Sequence, residues 1–350
     1  MAHGPSDDKA PAATVCVIAY NSGPTLRACL QHLGAQAFRD FETLIIDNAS
    51  PDPGDAAIAE AFVRSHAGAR LIRNPENLGF TGAGNQGARE GRGRWYVLLN
   101  PDAYAEPDWL AGLMAAAGRH PDVRAFTSRQ VVAEDPGLLD GLGDVMSITG
   151  IPYRGGYLNP DRGQAREGEV FSPCGAAMMI DRELFLRLGG FDEAFFCYGE
   201  DVDLGYRLQL AGEPTLLVPA ATIRHVGSAS TGGRKSEFAV FHGTRNRFWV
   251  LFKNTPAPLL PLVVPLHLMA LVLIYLRREN RPHIRLILRA VRAAFAGAPA
   301  MFRARRRVQA QRRATLGEIA RAMTWNPRDL SGRRPVIRPL RPRPTRSGGA

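Results

Sequence analysis

The chain has 350 residues, 45% of them hydrophobic and 22% charged, the balance of an ordinary folded protein with room for one large domain or two modest ones. The net charge of +11 is unevenly spread: residues 277–350 hold 20 arginines against Glu279, Glu318 and Asp329, about +17, which leaves the rest near −6. The first twelve residues are polar and Pro-containing, so they predict a disordered N-terminus and no secretion signal, and the four cysteines show no CxxC pair or zinc spacing, which argues for reduced thiols.

From residue 13 the chain alternates. Apolar, β-branched runs at 15–19, 44–47, 70–73 and 95–99 predict strands, and the stretches 24–35, 55–66, 82–89 and 107–118 predict helices, with Pro24 and Pro107 at first-turn positions. This order predicts an α/β domain with a largely parallel sheet, whose ligands sit beyond the carboxyl ends of the strands. The polar residues at those ends include Tyr20, Asp47, Asn77, Asn100 and Asp102. Residues 130–170 are Gly-rich and read as loops and short strands around an acceptor. After them come a strand at 176–180, helices at 182–188 and 202–211, and a strand at 215–218.

Three constellations point to chemistry. A buried run at 95–99 ends in Asn100-Pro101-Asp102, placing a carboxylate where a divalent ion could neutralise a leaving diphosphate; an Asp in that context also suits a plain turn. Glu200, Asp201 and Asp203 put three carboxylates within four positions beside aromatic residues, an arrangement that needs a cation or helix N-terminus and could supply a general base. His225 is a candidate ligand, although a lone histidine often merely packs. A fourth pattern, with Gly82, Gly84 and Gly87 in G-x-G-x-x-G spacing, raises NAD binding and oxidoreduction as an alternative. It sits far from the preceding strand and on the third βα unit, where that fingerprint is out of place.

Taken together, VCVIAYNS (15–22), LIIDNASPD (44–52), NPENLGFTGAGNQG (74–87), WYVLLNPDA (95–103) and the block 175–212, followed by His225, resemble family 2 glycosyltransferases, particularly the bacterial rhamnosyltransferase-like branch. The resemblance covers residues 13–255. It implies a GT-A fold, a Rossmann-like α/β domain with a central, mostly parallel sheet, and inverting transfer of a sugar, with L-rhamnose a candidate, from a dTDP- or UDP-sugar to a hydroxyl of a lipid-linked or polysaccharide acceptor in cell-envelope glycan synthesis. It further implies a divalent cofactor, Mn²⁺ or Mg²⁺, held by Asp102 and His225, and Asp201 as general base. Tyr20, Asp47, Asn77, Asn85, Asn100 and Asp102 fall to the donor, and Glu200 and Asp203 to support of the acceptor. The family's D-x-D is written here as N-P-D, with one acid where two are usual.

The expected organisation is a catalytic domain over 13–253, split into a nucleotide-sugar half (13–105) and an acceptor half (106–253). An apolar and amphipathic helical extension follows over 254–325, then a basic disordered tail over 326–350. Residues 254–276 carry no charge, but four prolines interrupt their first half and the unbroken stretch is too short to cross a bilayer. Ile284, Ile287, Leu288, Val291 and Phe295 share one helical face flanked by arginines. Together these predict a cytoplasmic protein held peripherally on the anionic inner face of the plasma membrane. Residues 245–247 (Arg-Asn-Arg) fit an acceptor phosphate or a helix surface equally. The Arg-rich tail alone raises nucleic-acid binding, but it lacks stacking aromatics and any recognisable module, so no specific nucleic-acid partner is expected.

Overall fold

The computed structural model describes residues 10–227, 236–276 and 282–341; the expectations for the extreme N-terminus, for 277–281 and for the last nine residues lie outside these. The apolar runs form strands, the inner ones buried on both faces. β1 (Ala13–Ala19) and β4 (Trp95–Leu99) are buried at every position, β2 (Phe41–Asp47) at nearly every one, and β3 (Ala69–Arg73) lies at the edge. Three helices make the crossovers: α1 (Pro24–Gly34), α2 (Gly54–Ser65) and α3 (Gly79–Glu90). The pairing β3-β2-β1-β4 is parallel throughout, with Ala19 beside Asp47 and Cys16 beside Leu98. Parallel order brings the carboxyl ends of β1, β2 and β4 to one edge.

Beyond β4 the sheet becomes mixed. β11 (Ala177–Asp181) runs antiparallel to both β4 and β6 (Ala125–Val132), and β12 (Thr215–His225) runs parallel to β6. The strand predicted at 215–218 therefore continues for seven residues more, past a shift in register between Val218 and Thr222. Its last turn of pairing is with β5 (Ala103–Ala105), which sets His225 against Ala103. The helix predicted from 202 starts earlier, as α6 (Glu200–Leu210), and the helix predicted from 107 is α4 (Trp109–Arg119).

The C-terminal helices share a core with the catalytic part. α7 (Glu237–Asn254) carries Phe248, Trp249 and Leu251 into a cluster with Phe195, Tyr206, Val263, Met301 and Ile319. The expected boundary at 253/254 thus falls inside a common core: Lys253 and Asn254 both bond Asp203 of α6. α8 (Leu260–Tyr275) lays Val263, His267, Ala270 and Leu271 on this core, and α9 (Ile284–Ala296) buries Ile287, Ala290 and Ala294. The predicted apolar stripe of α9 is therefore divided, since Ile284, Leu288 and Phe295 remain exposed.

Residues 326–341 correct the expectation of disorder. They form α12 (Pro327–Ser331) and then a segment that bridges β10 (Gly168–Val170) antiparallel at Glu169 and Arg338. Arg341 pairs with Glu169, and Arg338 donates to the carbonyls of Ala322 and Met323. A Pro/Arg-rich composition signals disorder only where the cations lack fixed partners; here buried Glu169 and free helix-end carbonyls supply them.

Candidate active site

A cavity of about 750 Å³ opens at the carboxyl edge of the sheet. Tyr20, Asn77, Asn100 and Asp102 line it from the nucleotide half, and Glu200, Asp201 and His225 from the other. Sheet pairing explains the meeting of residues far apart in sequence. Asp102 directly precedes β5, β5 pairs with the end of β12, and Val226 N donates to Asp102 O at 3.0 Å, so His225 is delivered beside Asp102. Asp201, in the first turn of α6, accepts a hydrogen bond from Gly175 N at 3.0 Å. Asn100 N is in turn bonded to Ala176 O, where β11 begins alongside β4.

The His225 ring is clamped. Its Nδ1 lies 2.8 Å from Asp140 Oδ2 and its Nε2 3.3 Å from Asp102 Oδ1. Burial disfavours the imidazolium, but Asp102 and Asp140 outweigh it and raise the pKa above the ordinary histidine value. Nε2 is buried and makes no hydrogen bond of good geometry. An imidazole nitrogen and a carboxylate oxygen 3.3 Å apart suit two ligands of one divalent cation, with Asp140 fixing the ring from behind. A second group, Asp144, Cys174 and Asp201, brings ligand atoms within 4.8 Å of one another. Burial pushes the Cys174 thiol up to about 12, so it offers no thiolate and fits a hard cation poorly.

Glu200 is buried beside Asp201. Burial first, then the Asp201 charge, pushes its carboxyl well above the usual range, and Oε2 has no hydrogen-bond partner among the described residues. The loop before it is strained: Phe196 and Tyr198 have φ of 65° and 69°, each costing about 1–3 kcal/mol in a non-glycine residue. Asn246 of α7 holds that loop, its Nδ2 lying 2.6–3.0 Å from the carbonyl oxygens of Phe195, Cys197 and Tyr198.

Three expected site residues do not line the cavity. Asn85 is spent on the chain itself: Nδ2 donates to Phe191 O at 2.9 Å and Oδ1 accepts from Phe191 N at 2.7 Å, stapling α3 to the loop before α6. Asp203 points the opposite way from Asp201, fully buried against Arg207 (2.8 Å), Lys253 (3.0 Å) and Asn254 (2.8 Å). Burial opposes its ionisation, but Lys253 and Arg207 hold its carboxyl below the usual range. It braces α6 against α7 and cannot orient an acceptor. Asp47 closes the turn after β2 by accepting from Ser50 N at 3.1 Å. Its neighbour Asn48 does face the cavity, and it anchors the 74–79 loop through Asn74, Asn77, Leu78 and Gly79.

The glycines at 82–87 lie inside α3 and cradle no phosphate. A Cβ on Gly87 would sit 2.5 Å from Cys16 Sγ, and one on Gly84 2.9 Å from a Phe191 ring carbon, so both let the helix approach its neighbours closely. That packing role replaces the dinucleotide alternative. Sequence reasoning missed Asp140, Asp144 and Arg154, and it named Asn246 only as part of a segment for an acceptor phosphate or a helix surface, whereas Asn246 holds the 195–198 loop. The three missed residues fall in the 130–170 region, where no periodicity announces which polar residue turns inward.

Residues 14–189 match the sequence profile of "Glycosyl transferase family 2". A relative from Mycobacterium tuberculosis, an N-acetylglucosaminyl-diphospho-decaprenol L-rhamnosyltransferase, is 30% identical over 247 residues, covering 62% of this chain and 77% of its own. Among solved structures, the mannosyltransferase PcManGT from Pyrobaculum calidifontis, in complex with GDP-Man and Mn²⁺, superposes with a TM-score of 0.53 at 19% identity, over 91% of this chain and 88% of that one. GalNAc-T7 with UDP, GalNAc and Mn²⁺ gives 0.55 at 18% identity, over 68% of this chain and 48% of that one. At such identity these structures speak to the fold, whereas the profile match spans half of the chain. The chain therefore belongs to glycosyl transferase family 2 and is a glycosyltransferase with a GT-A-like fold.

Proposed function

We propose that this enzyme transfers a sugar, with L-rhamnose the leading candidate, from a dTDP- or UDP-sugar to a hydroxyl of a lipid-linked glycan acceptor, inverting the anomeric centre. The carrying observation is that Asp102, Asp201 and His225 border one cavity large enough for a nucleoside diphosphate. The printed activity of the M. tuberculosis relative favours the rhamnosyl and lipid-linked choices.

In this reading Tyr20, Asn48 and Asn77 cradle the nucleotide at the ends of β1 and β2. Asp102 and His225 would hold a Mn²⁺ or Mg²⁺ ion, which when bound supplies Lewis-acid neutralisation of the departing diphosphate. Asp201 takes the proton from the acceptor hydroxyl as its oxygen attacks the anomeric carbon and the bond to the diphosphate oxygen breaks. Its hydrogen bond from Gly175 N keeps the carboxylate aimed. The strained 196–198 loop and the buried Glu200 line the same cavity beside it and would limit the water that could otherwise capture the sugar.

The same proposal places the enzyme peripherally on the anionic inner face of the plasma membrane. Among the described residues one helical stretch, Ala257–Tyr275, is long and apolar enough to cross a bilayer. However, α8 packs one stripe on the catalytic core while Leu268, Met269, Val272 and Leu273 face outward. A helix anchored along its side suits the plane of the interface better than a crossing, and exposed Arg285, Arg289 and Arg292 of α9 complement anionic headgroups.

A thermal-shift series with dTDP-rhamnose, UDP-N-acetylglucosamine, GDP-mannose and NAD⁺, each with and without Mn²⁺, tests the reading. Metal-dependent stabilisation by one nucleotide sugar and none by NAD⁺ is expected. Absence of any nucleotide-sugar shift, or a shift from NAD⁺ alone, would refute it.

A further inference from the structure

The Arg245-Asn246-Arg247 segment has three different fates in α7. Arg245 is consumed by the fold: its Nη2 donates to the carbonyls of Ala194 and Phe195, its Nε to Asn246 Oδ1, and its guanidinium lies 4.2 Å from the Trp249 ring centre. Asn246 holds the strained loop. Arg247 instead borders the cavity. Its Nη1 donates to Tyr275 Oη at 3.3 Å, and its Nε is buried without a hydrogen-bond partner among the described residues. No carboxylate among the described residues pairs with it, although the cavity wall carries Asp102, Asp144, Glu200 and Asp201. Arg154, the other arginine on the described wall, is committed to Asp140 at 2.5 Å. A guanidinium kept off every described carboxylate, with a buried donor unspent, is suited to an anion brought in from outside.

Position indicates which anion. Arg247 reaches Tyr275, the last residue of α8, whose neighbours Val272, Leu273 and Leu276 are 55–66% exposed. The same cavity is lined by the apolar and aromatic side chains of Phe196, Tyr198, Phe238 and Val250. Arg247 thus lines the cavity that also holds the proposed base Asp201 and is bonded to the end of an outward-facing apolar helix. We propose that Arg247 binds the phosphate of a polyprenyl-phosphate or polyprenyl-diphosphate acceptor, with the sugar end directed to Asp201 and the prenyl chain leaving along α8. This rests on the glycosyltransfer reading above and adds the residue that recognises the lipid carrier.

A diphosphate could also come from the donor, so the test separates the two sources. Binding of UDP with Mn²⁺, farnesyl diphosphate, farnesyl monophosphate and farnesol is measured on the full-length chain and on Arg247→Gln and Arg247→Lys. Arg247→Gln is expected to weaken farnesyl diphosphate by about 10- to 100-fold, the loss of one charge-assisted contact, and to leave UDP and farnesol unchanged. Arg247→Lys should restore part of the loss. Equal weakening of UDP and farnesyl diphosphate would reassign Arg247 to the donor and overturn the proposal. Equal weakening of farnesol, or no weakening at all, would overturn it as well. A wild-type chain that binds farnesyl diphosphate through Arg247 but no nucleotide supports this site and counts instead against the nucleotide-sugar reading.

Discussion

Asp201 and Asp203 stand two residues apart in one helix turn, yet Asp201, the proposed base, lines the cavity while Asp203 is buried against Arg207, Lys253 and Asn254. Asp203→Asn removes the only charge of a side chain with no solvent exposure and leaves Lys253 and Arg207, 4% and 5% exposed, facing a neutral amide. Removing one partner of a buried ion pair costs about 3–5 kcal/mol. The lower end applies here, because Lys253 keeps Asp192 at 2.7 Å and Arg207 keeps the carbonyls of Leu188 and Gly190. At an unfolding entropy of about 2.1 cal/mol/K per residue, roughly 0.7 kcal/mol/K for a chain of this size, 3 kcal/mol lowers Tm by about 4 °C. The pH dependence has a definite sign. The folded carboxyl titrates below its unfolded value, so its stabilisation is complete above about pH 4 and fades as acid protonates it; the gap between wild type and variant should narrow as the pH falls through that range. Asp201→Asn should instead keep Tm and lose transfer by about 10²- to 10⁴-fold, the usual worth of a general base. Calorimetric Tm and transfer rates measured well below Tm provide the comparison. If Asp203→Asn melts like wild type yet loses transfer, or Asp201→Asn is destabilised and active, the assignment of the two carboxylates is wrong.

Asp140→Asn should weaken Mn²⁺-dependent stabilisation by nucleotide by about 10- to 100-fold, since the partner of a ligating histidine sets its tautomer and basicity; metal titration of the thermal shift reads this out, and an unchanged midpoint would remove His225 from the metal site. Asn85→Ala should lower stability by about 1–3 kcal/mol by orphaning the Phe191 backbone groups while leaving nucleotide affinity intact, as measured by chemical denaturation beside UDP titration; a selective loss of UDP binding would return Asn85 to the donor. Replacing Met269 and Leu273 together by Glu should abolish co-sedimentation with anionic vesicles without changing Tm, each side chain forfeiting about 1.5–3 kcal/mol of apolar burial in the membrane; retained sedimentation would place the membrane contact elsewhere.

Local pattern was enough for the parallel half of the fold. β1, β2 and β4 are largely apolar and buried, and their polar successors at Tyr20, Asn48 and Asn100 mark the ligand edge. Short acidic spacing also pointed to the first turn of α6, whose Glu200 and Asp201 line the cavity, and the resemblance implied Asp201 within it as the base. It could not divide that turn. Asp201 and Asp203 diverge because residues two apart on a helix project to different faces, and the partners that claim Asp203 arrive from α7, some fifty residues later.

The same limit separates the rest. His225 gained its place beside Asp102 from the pairing of β5 with β12 and its orientation from Asp140, both long-range contacts with no local signature. Arg245 and Arg247 are chemically identical in sequence, yet one is used up on the chain and the other faces the cavity. Periodicity and strand-end polarity are properties of neighbouring residues, so the chain alone carried the architecture, the edge where ligands gather and the candidate carboxylates. Which of those groups keeps its charge for a ligand depends on desolvation and on partners brought from distant elements, and only the folded arrangement decided that.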